Sequence, residues 1–221
     1  MKKAFTLLEI IFIIVIAGVI SSVAIMKFSS KDLLKGVEMV AKDIEYTKHL
    51  AIIDDGRIPN DIFLEKANNN NFWTITFIGI GGDPKMSIFK YTDTNINYGT
   101  IDTAAIDYLD KEKVLTLTVG GGKDIDIVDN GMNKTSSRIY LKKTYGIKSI
   151  NNDKCLVDGH SINTLFFNEE GVPYGANSSK GSFLYFQKLK ETCTLKFKAG
   201  SDTKCIDIYP ETGYVKVKEC S

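Results

Sequence analysis

The chain has 221 residues, with 28 Lys and Arg against 27 Asp and Glu and a formal charge of +1, which excludes the strongly basic balance of a whole-chain nucleic-acid binder. Once a hydrophobic N-terminal segment is set aside, that length leaves room for one globular domain. All four cysteines, Cys155, Cys193, Cys205 and Cys220, lie in the last third without a Cys-x-x-Cys pair, and His49 and His160 are far apart, so disulfides are expected and a metal site is not.

The first element is hydrophobic. Lys2-Lys3-Ala4-Phe5-Thr6-Leu7-Leu8-Glu9 leads into an apolar run over 10–20 that resumes over 23–26. Its length suits the about 20 residues that span a bilayer, and Lys2 and Lys3 set the inner side by the positive-inside rule. Glu9 is the exception within it. A charge in hydrocarbon costs about 2.5–3.5 kcal/mol even on the lenient insertion scale, so a chain that keeps one there gives it a partner. Three readings of these residues stand side by side: a signal anchor, a secretory signal peptide cut after Ser22-Val23-Ala24, and a buried core helix. The carboxylate at the front and the length of the run speak against the second, and its uniform apolarity against the third.

The Lys2-Lys3 leader, the small Ala4 and the string Phe5-Thr6-Leu7-Leu8-Glu9 resemble the class III signal of type IV pilins and pseudopilins. The resemblance implies cleavage between Ala4 and Phe5 by a prepilin peptidase, which also methylates the new Phe5 amine. It implies that Glu9 docks the subunit into a growing filament by pairing with the Phe5 amine of a neighbour. Glycine usually precedes the cut, so Ala4 departs from the pattern. On this reading residues 1–4 are a leader, 5–28 a transmembrane and assembly segment, 29–55 the amphipathic half of the same helix, and 56–221 a periplasmic head. The implied location is the inner membrane, single-pass, followed by an assembled pilus or pseudopilus. The implied partners are other pilins or pseudopilins through the N-terminal helix, the prepilin peptidase and the inner-membrane assembly platform.

Beyond the apolar run, Leu33, Val37, Val40, Ile44, Thr47 and Ala51 recur at alternating steps of four and three, which keeps one helix face in line. Lys31, Lys35, Glu38, Lys42, Asp43, Glu45 and Lys48 are expected on the opposite, wet face. The helix is expected to end near Asp54-Asp55-Gly56, with Pro59 preventing a restart. A helix over 5–53 is roughly 73 Å long. It lacks the mid-helix proline common in major pilins, which points away from an abundant structural subunit.

After Pro59 the pattern turns to β. Strands are expected at 72–80, 87–91, 114–119, 124–128, 138–142, 164–168, 183–187, 194–198, 205–209 and 214–218. Turn residues separate them, among them Gly81-Gly82-Asp83-Pro84, Gly120-Gly121-Gly122, Asn151-Asn152-Asp153 and Gly171-Val172-Pro173, and Asn68 to Asn71 form a low-complexity loop. The expected fold class is α+β: a long N-terminal helical spine, membrane-spanning and then amphipathic, packed against an antiparallel sheet or β-sandwich head. The segments 164–174 and 205–217 resemble the strand–glycine–turn and closing hairpin of H-type minor pseudopilins and FimT-like minor pilins, and 39–53 resembles the helix leading into that head. Residues 68–153 match nothing in that pattern.

Little in the sequence points to catalysis. Gly120-Gly121-Gly122-Lys123 is followed by Asp124, where a P-loop needs Ser or Thr, and Asp124, Asp126 and Asp129 lack EF-hand spacing. No nucleophile elbow appears, so no enzyme activity and no cofactor are expected. The expected function is that of a minor pilin or pseudopilin, a structural subunit of a type IV pilus, a type II secretion pseudopilus or a competence filament. Lysines at period two, at 188 and 190, 196 and 198, and 216 and 218, offer an alternative. If their strands are neighbours, Lys196, Lys198, Lys216 and Lys218 merge into a basic face for DNA, as in a DNA-capturing competence pilin. The plain explanation is the wet side of an antiparallel sheet, where lysine blocks edge pairing. A membrane-anchored periplasmic adhesin or sensor is the third class.

Hairpin geometry bears on the disulfides. With Thr212-Gly213 as a two-residue turn, Glu211 faces Tyr214 and Cys205 lies opposite Cys220, within bonding reach. A four-residue loop over 210–213 offsets that pair by two residues, and a three-residue loop puts the sulfurs on opposite faces. The two-residue turn is preferred here, giving Cys205–Cys220 and leaving Cys155–Cys193.

Overall fold

The computed structural model describes residues 7–54, 72–91, 103–120, 123–157, 159–177 and 185–220, with a few side chains, those of 7–9 and 19–31 among them, left out. The cleavage site at Ala4 and Phe5, the 68–71 loop, the cap at Gly56 and Pro59, and Gly121-Gly122 lie outside the described residues.

Proline is absent from 7–53, and the chain runs as one helix, α1 (Leu7–Ile53). The ladder reaches one residue further, with the Asp54 amide donating to the Leu50 carbonyl at 3.1 Å. A carboxylate at a helix C-terminus opposes the helix dipole. Here Asp54 accepts the Trp73 indole N–H at 2.8 Å and pairs with Lys90 at 2.6 Å, which ties the helix end to the sheet beyond it.

The chain continues through β1 (Phe72–Ile78) and β2 (Lys85–Tyr91), then three small hairpins: β3 (Ile106–Asp107) with β4 (Asp110–Val114), β5 (Thr118–Gly120) with β6 (Lys123–Ile125), and β7 (Val128–Asp129) with β8 (Met132–Asn133). A 3₁₀ turn (Ser137–Ile139) and a short helix α2 (Leu141–Tyr145) follow. Then come β9 (Ser149–Lys154), the hairpin β10 (Leu156–Val157) and β11 (His160–Ser161), β12 (Thr164–Phe167), β13 (Pro173–Asn177), β14 (Tyr185–Lys188), β15 (Cys193–Ala199), β16 (Asp202–Ile208) and β17 (Val215–Lys218). Two antiparallel sheets carry the architecture, one ordered β14-β13-β12-β1-β2 and the other β17-β16-β15-β9.

The expected stripe of α1 is the seam between these sheets. Leu33, Val37, Val40, Ile44, Thr47 and Ala51 are at most 1% exposed and pack with Ile75, Phe77, Leu165 and Phe167 of one sheet and Leu195, Phe197, Ile206 and Ile208 of the other. Phe77 and Phe197 meet edge to face at 6.4 Å, joining the two sheets directly. Burying each large aliphatic of the stripe contributes about 1.5–3 kcal/mol.

The expected spine is corrected in its first half. Among the described residues no helix is long and apolar enough to cross a membrane. From Asp32 onward charged residues recur every few positions. The single-pass inner-membrane location rested on that span and falls with it. The remainder is an α+β molecule built mainly of strands, in which the 31–53 half of α1 is the part held by the sheets.

Three local expectations also change. Residues 138–142 form the 3₁₀ turn and the start of α2 instead of a strand, because Gly146 supplies the left-handed cap (φ 69°) that closes a short helix. Asn151-Asn152-Asp153 lies inside β9 instead of a turn, since β15 offers it an open edge. In the last hairpin Ile208 pairs with Val215 and Cys205 with Lys218, so the loop is the four-residue one over 210–213.

Gly36 marks the closest approach of α1 to α2. A Cβ there would lie 2.5 Å from the Cβ of Tyr145. Alanine favours a helix over glycine by about 1 kcal/mol, but overpacking costs about 1–3 kcal/mol. Gly36→Ala is therefore expected to lower stability by up to about 2 kcal/mol in urea denaturation, against the gain that propensity alone would give.

Candidate functional site: a buried carboxylate–guanidinium–carboxylate triad

Asp43 departs furthest from the sequence reading. Expected on the wet face, it is fully buried, and so are Arg138 and Asp107 at 6% and 1% exposure. Its position explains this: Asp43 stands three residues after Val40 and four before Thr47, within the stripe itself. That spacing was the one available signal. Its partners left none: Asp107 lies in a segment without a strand expectation, and Arg138 in one expected to be a strand.

The 3₁₀ turn, begun by the Ser136 side chain accepting from the Arg138 amide, aims the guanidinium between two carboxylates. Arg138 Nη1 donates to Asp43 Oδ2 at 3.0 Å, and Nε donates to both Asp107 oxygens at 3.0 and 2.9 Å. Nη2 lies 3.0 Å from Asp43 Oδ1, yet the contact is off-axis: an ion pair without an aligned hydrogen bond. Asp107 is further held by the Ser136 hydroxyl at 2.7 Å and the Leu109 amide at 2.9 Å. The Tyr108 ring covers the guanidinium at 4.6 Å and meets Tyr46 edge to face at 5.0 Å, while the Tyr46 hydroxyl donates to the Ile106 carbonyl at 3.0 Å.

The two carboxylates behave differently. Burial pushes Asp43 up to about 6, and Arg138 with the Tyr108 hydroxyl only partly counters it. Burial acts upward on Asp107 too, but hydrogen bonds from Arg138, Ser136 and the Leu109 amide outweigh it and hold this carboxyl below its usual range. Burial and the neighbouring Asp43 push the Tyr108 hydroxyl up to about 12, so it stays protonated. Two negative groups share one cation, and the charged triad carries one unbalanced negative charge.

The residues singled out in sequence fall elsewhere. Glu9 lies in α1, and its side chain is outside the described residues. Lys196, Lys198, Lys216 and Lys218 do come together: β15, β16 and β17 are neighbours, and the register places all four on the solvent side of that sheet. Lys218 is tied to Asp207 at 2.6 Å in the middle of the face. Tyr209 and Tyr214 continue the same side, exposed at 37% and 55% with ring centroids 5.8 Å apart. Lys188 and Lys190 instead line a cleft of about 510 Å³ beside Leu156, Val157 and Thr194. Asp124 pairs with Lys85 and Asp126 takes the Tyr140 hydroxyl, and the described residues contain no cluster of His, Cys, Asp and Glu able to hold a metal.

Both disulfides are present, Cys155–Cys193 and Cys205–Cys220. The second forms despite the four-residue loop. β17 ends at Lys218, and the chain beyond it returns Cys220 to a Cα distance of 5.2 Å from Cys205.

Comparison with protein-family models found no match, and comparisons with curated proteins and with solved structures found none either.

Removing Arg138 would strand two buried carboxylates. Breaking such a pair from one side costs about 3–5 kcal/mol. Arg138→Met is expected to lose that much stability at pH 7.5 by urea denaturation, whereas a surface change such as Lys42→Met should stay within about 0.5 kcal/mol.

Proposed function

We propose that this chain is a minor pilin- or pseudopilin-type filament subunit, with the N-terminal part of α1 as its assembly surface. One observation carries the reading. Ile10, Ile11, Phe12, Ile13, Ile14, Val15 and Ile16 are 49–66% exposed in an unbroken run, so every side of the helix is apolar there. Monomers rarely expose contiguous apolar patches beyond a few hundred Å². Covering seven half-exposed large side chains stabilises an assembly by about 5–10 kcal/mol. Helices of like subunits are the fitting cover, and the residues just before the run, Phe5 to Glu9, carry the resemblance to the prepilin signal.

In the proposed assembly Glu9 pairs with the terminal amine of a neighbouring Phe5, which offsets the desolvation of both charges and sets the axial register. Mature protein is expected to begin at Phe5 by N-terminal sequencing, and Glu9→Val to leave the unfolding transition of the head unchanged while abolishing cross-links to neighbouring subunits. A start at Ile25, or cross-linking at the wild-type level, overturns the reading.

A second reading, a DNA-capturing subunit, is favoured by the Tyr209–Tyr214 pair on the side of the sheet that carries Lys196, Lys198, Lys216 and Lys218. Exposed rings beside ammonium groups supply stacking and phosphate contact together. Binding to single-stranded DNA that weakens as salt rises and disappears on changing the four lysines to glutamate supports it. Binding unchanged by those substitutions removes it.

A further inference from the structure

We propose that the β3–β4 hairpin is a proton-linked flap over Asp43, which docks on α1 as the solution turns mildly acidic and loosens as Asp43 ionises. The base of the hairpin is pinned, by the Ala105 amide on the Ile88 carbonyl at 3.0 Å and the Val114 amide on the Lys134 carbonyl at 2.8 Å, but its tip is thinly anchored. Ile106 and Leu109 are more than half exposed, and its tie to α1 consists of the triad, the Tyr46–Tyr108 contact and the Tyr46 hydroxyl bond. Segments with few buried apolar contacts open with little free energy. Opening would uncover Asp43 and Arg138 to water.

Charge balance sets the direction. Asp107 faces Asp43 from the hairpin and Arg138 faces it from the 3₁₀ turn; Tyr108 of the hairpin, Tyr46 of α1 and Tyr145 of α2 complete the ionisable groups around the triad. The three tyrosines are neutral over the range that matters, so the docked site holds two carboxylates against one guanidinium. One proton makes it neutral. Asp43 is the acceptor because it takes one aligned hydrogen bond from Arg138, where Asp107 takes two and is also bonded by Ser136 and the Leu109 amide.

The sign follows from linkage. Asp43 binds its proton near pH 6 when docked and near 3.8 when open to water. The docked form therefore holds more protons between those values, and lowering the pH favours it. From pH 7.5 to 5.0 the docking equilibrium gains about tenfold. Asp107, held low, acts in the opposite sense only below the ordinary carboxylate range and does not intrude.

The test uses the full chain. Carbon-13 NMR of the Asp43 carboxyl is expected to show a midpoint near pH 6, and amide exchange in the hairpin, corrected for intrinsic rate, to slow about tenfold from pH 7.5 to 5.0. Asp43→Asn, which fixes the neutral form, is expected to show the slow exchange at both pH values. Any pH response that does not come from Asp43 persists in that variant and subtracts out. A midpoint at or below 4, or an Asn variant that keeps the wild-type pH response, overturns the proposal. If the variant does not fold, the wild-type titration decides alone.

Discussion

The structure depends on one seam. The apolar stripe of α1 is too wide for a single sheet edge, and it is covered by two sheets that meet along it. The sheet of β15 to β17 offers one apolar face with a wet face behind, the arrangement that antiparallel sheets permit. By contrast β1, β2 and β12 are buried on both faces, with Thr74, Phe89 and Phe166 covered as well as Ile75, Ile88 and Leu165. Packing both onto a common helix gives a contiguous core, and the Phe77–Phe197 contact closes it where the sheets touch. Pairings across the head, such as β1 with β12 and β15 with β9, join segments far apart in sequence and are held in place by that seam.

A charged residue inside such a seam needs a reason. The segment between β2 and β9 does give apolar residues to the core, Leu115, Leu117, Ile139, Leu141 and Ile147 among them, but the β3–β4 hairpin meets α1 at Asp43 through polar and aromatic groups. A guanidinium between two carboxylates attaches this hairpin through geometry in place of area. Buried ion groups of this kind contribute little net stability, since desolvation consumes most of the Coulombic gain. What they fix is position: a hairpin shifted by one residue would turn Asp107 away from Arg138 and leave that carboxylate without its cation. The same low margin makes the site sensitive to a single proton.

The C-terminal hairpin shows a different kind of constraint. Cys205 and Cys220 are bonded, but across a strand end and not across the ladder. The tail after Lys218 has the freedom to turn back, and a disulfide asks only that two Cα atoms lie about 4.4–6.8 Å apart. The pairing expected from the sequence is thus reached through a register that the sequence reading set aside. The same sheet arranges lysines and a tyrosine pair on its wet side, a combination invisible until β15, β16 and β17 are known to be neighbours.

Local patterning determined a good deal. The stripe from Leu33 to Ala51, the end of α1 at Ile53, and strands close to β1, β2, β12 and β14 to β17 follow from periodicity and turn residues, because each is settled within a dozen neighbouring positions. The apolar run over 10–20 was equally plain, but among the described residues no helix is long and apolar enough to cross a membrane. Other features were decided only by contact across the fold. Asn151-Asn152-Asp153 became strand because β15 presented an unpaired edge, and 138–142 became helical because Ser136 caps the 3₁₀ turn and Gly146 closes α2. Asp43 was read as wet because a helix face records polarity but not partners. Whether a carboxylate on the border of a stripe meets water or a guanidinium is set by a residue 95 positions away, and that distance carries no periodic signal.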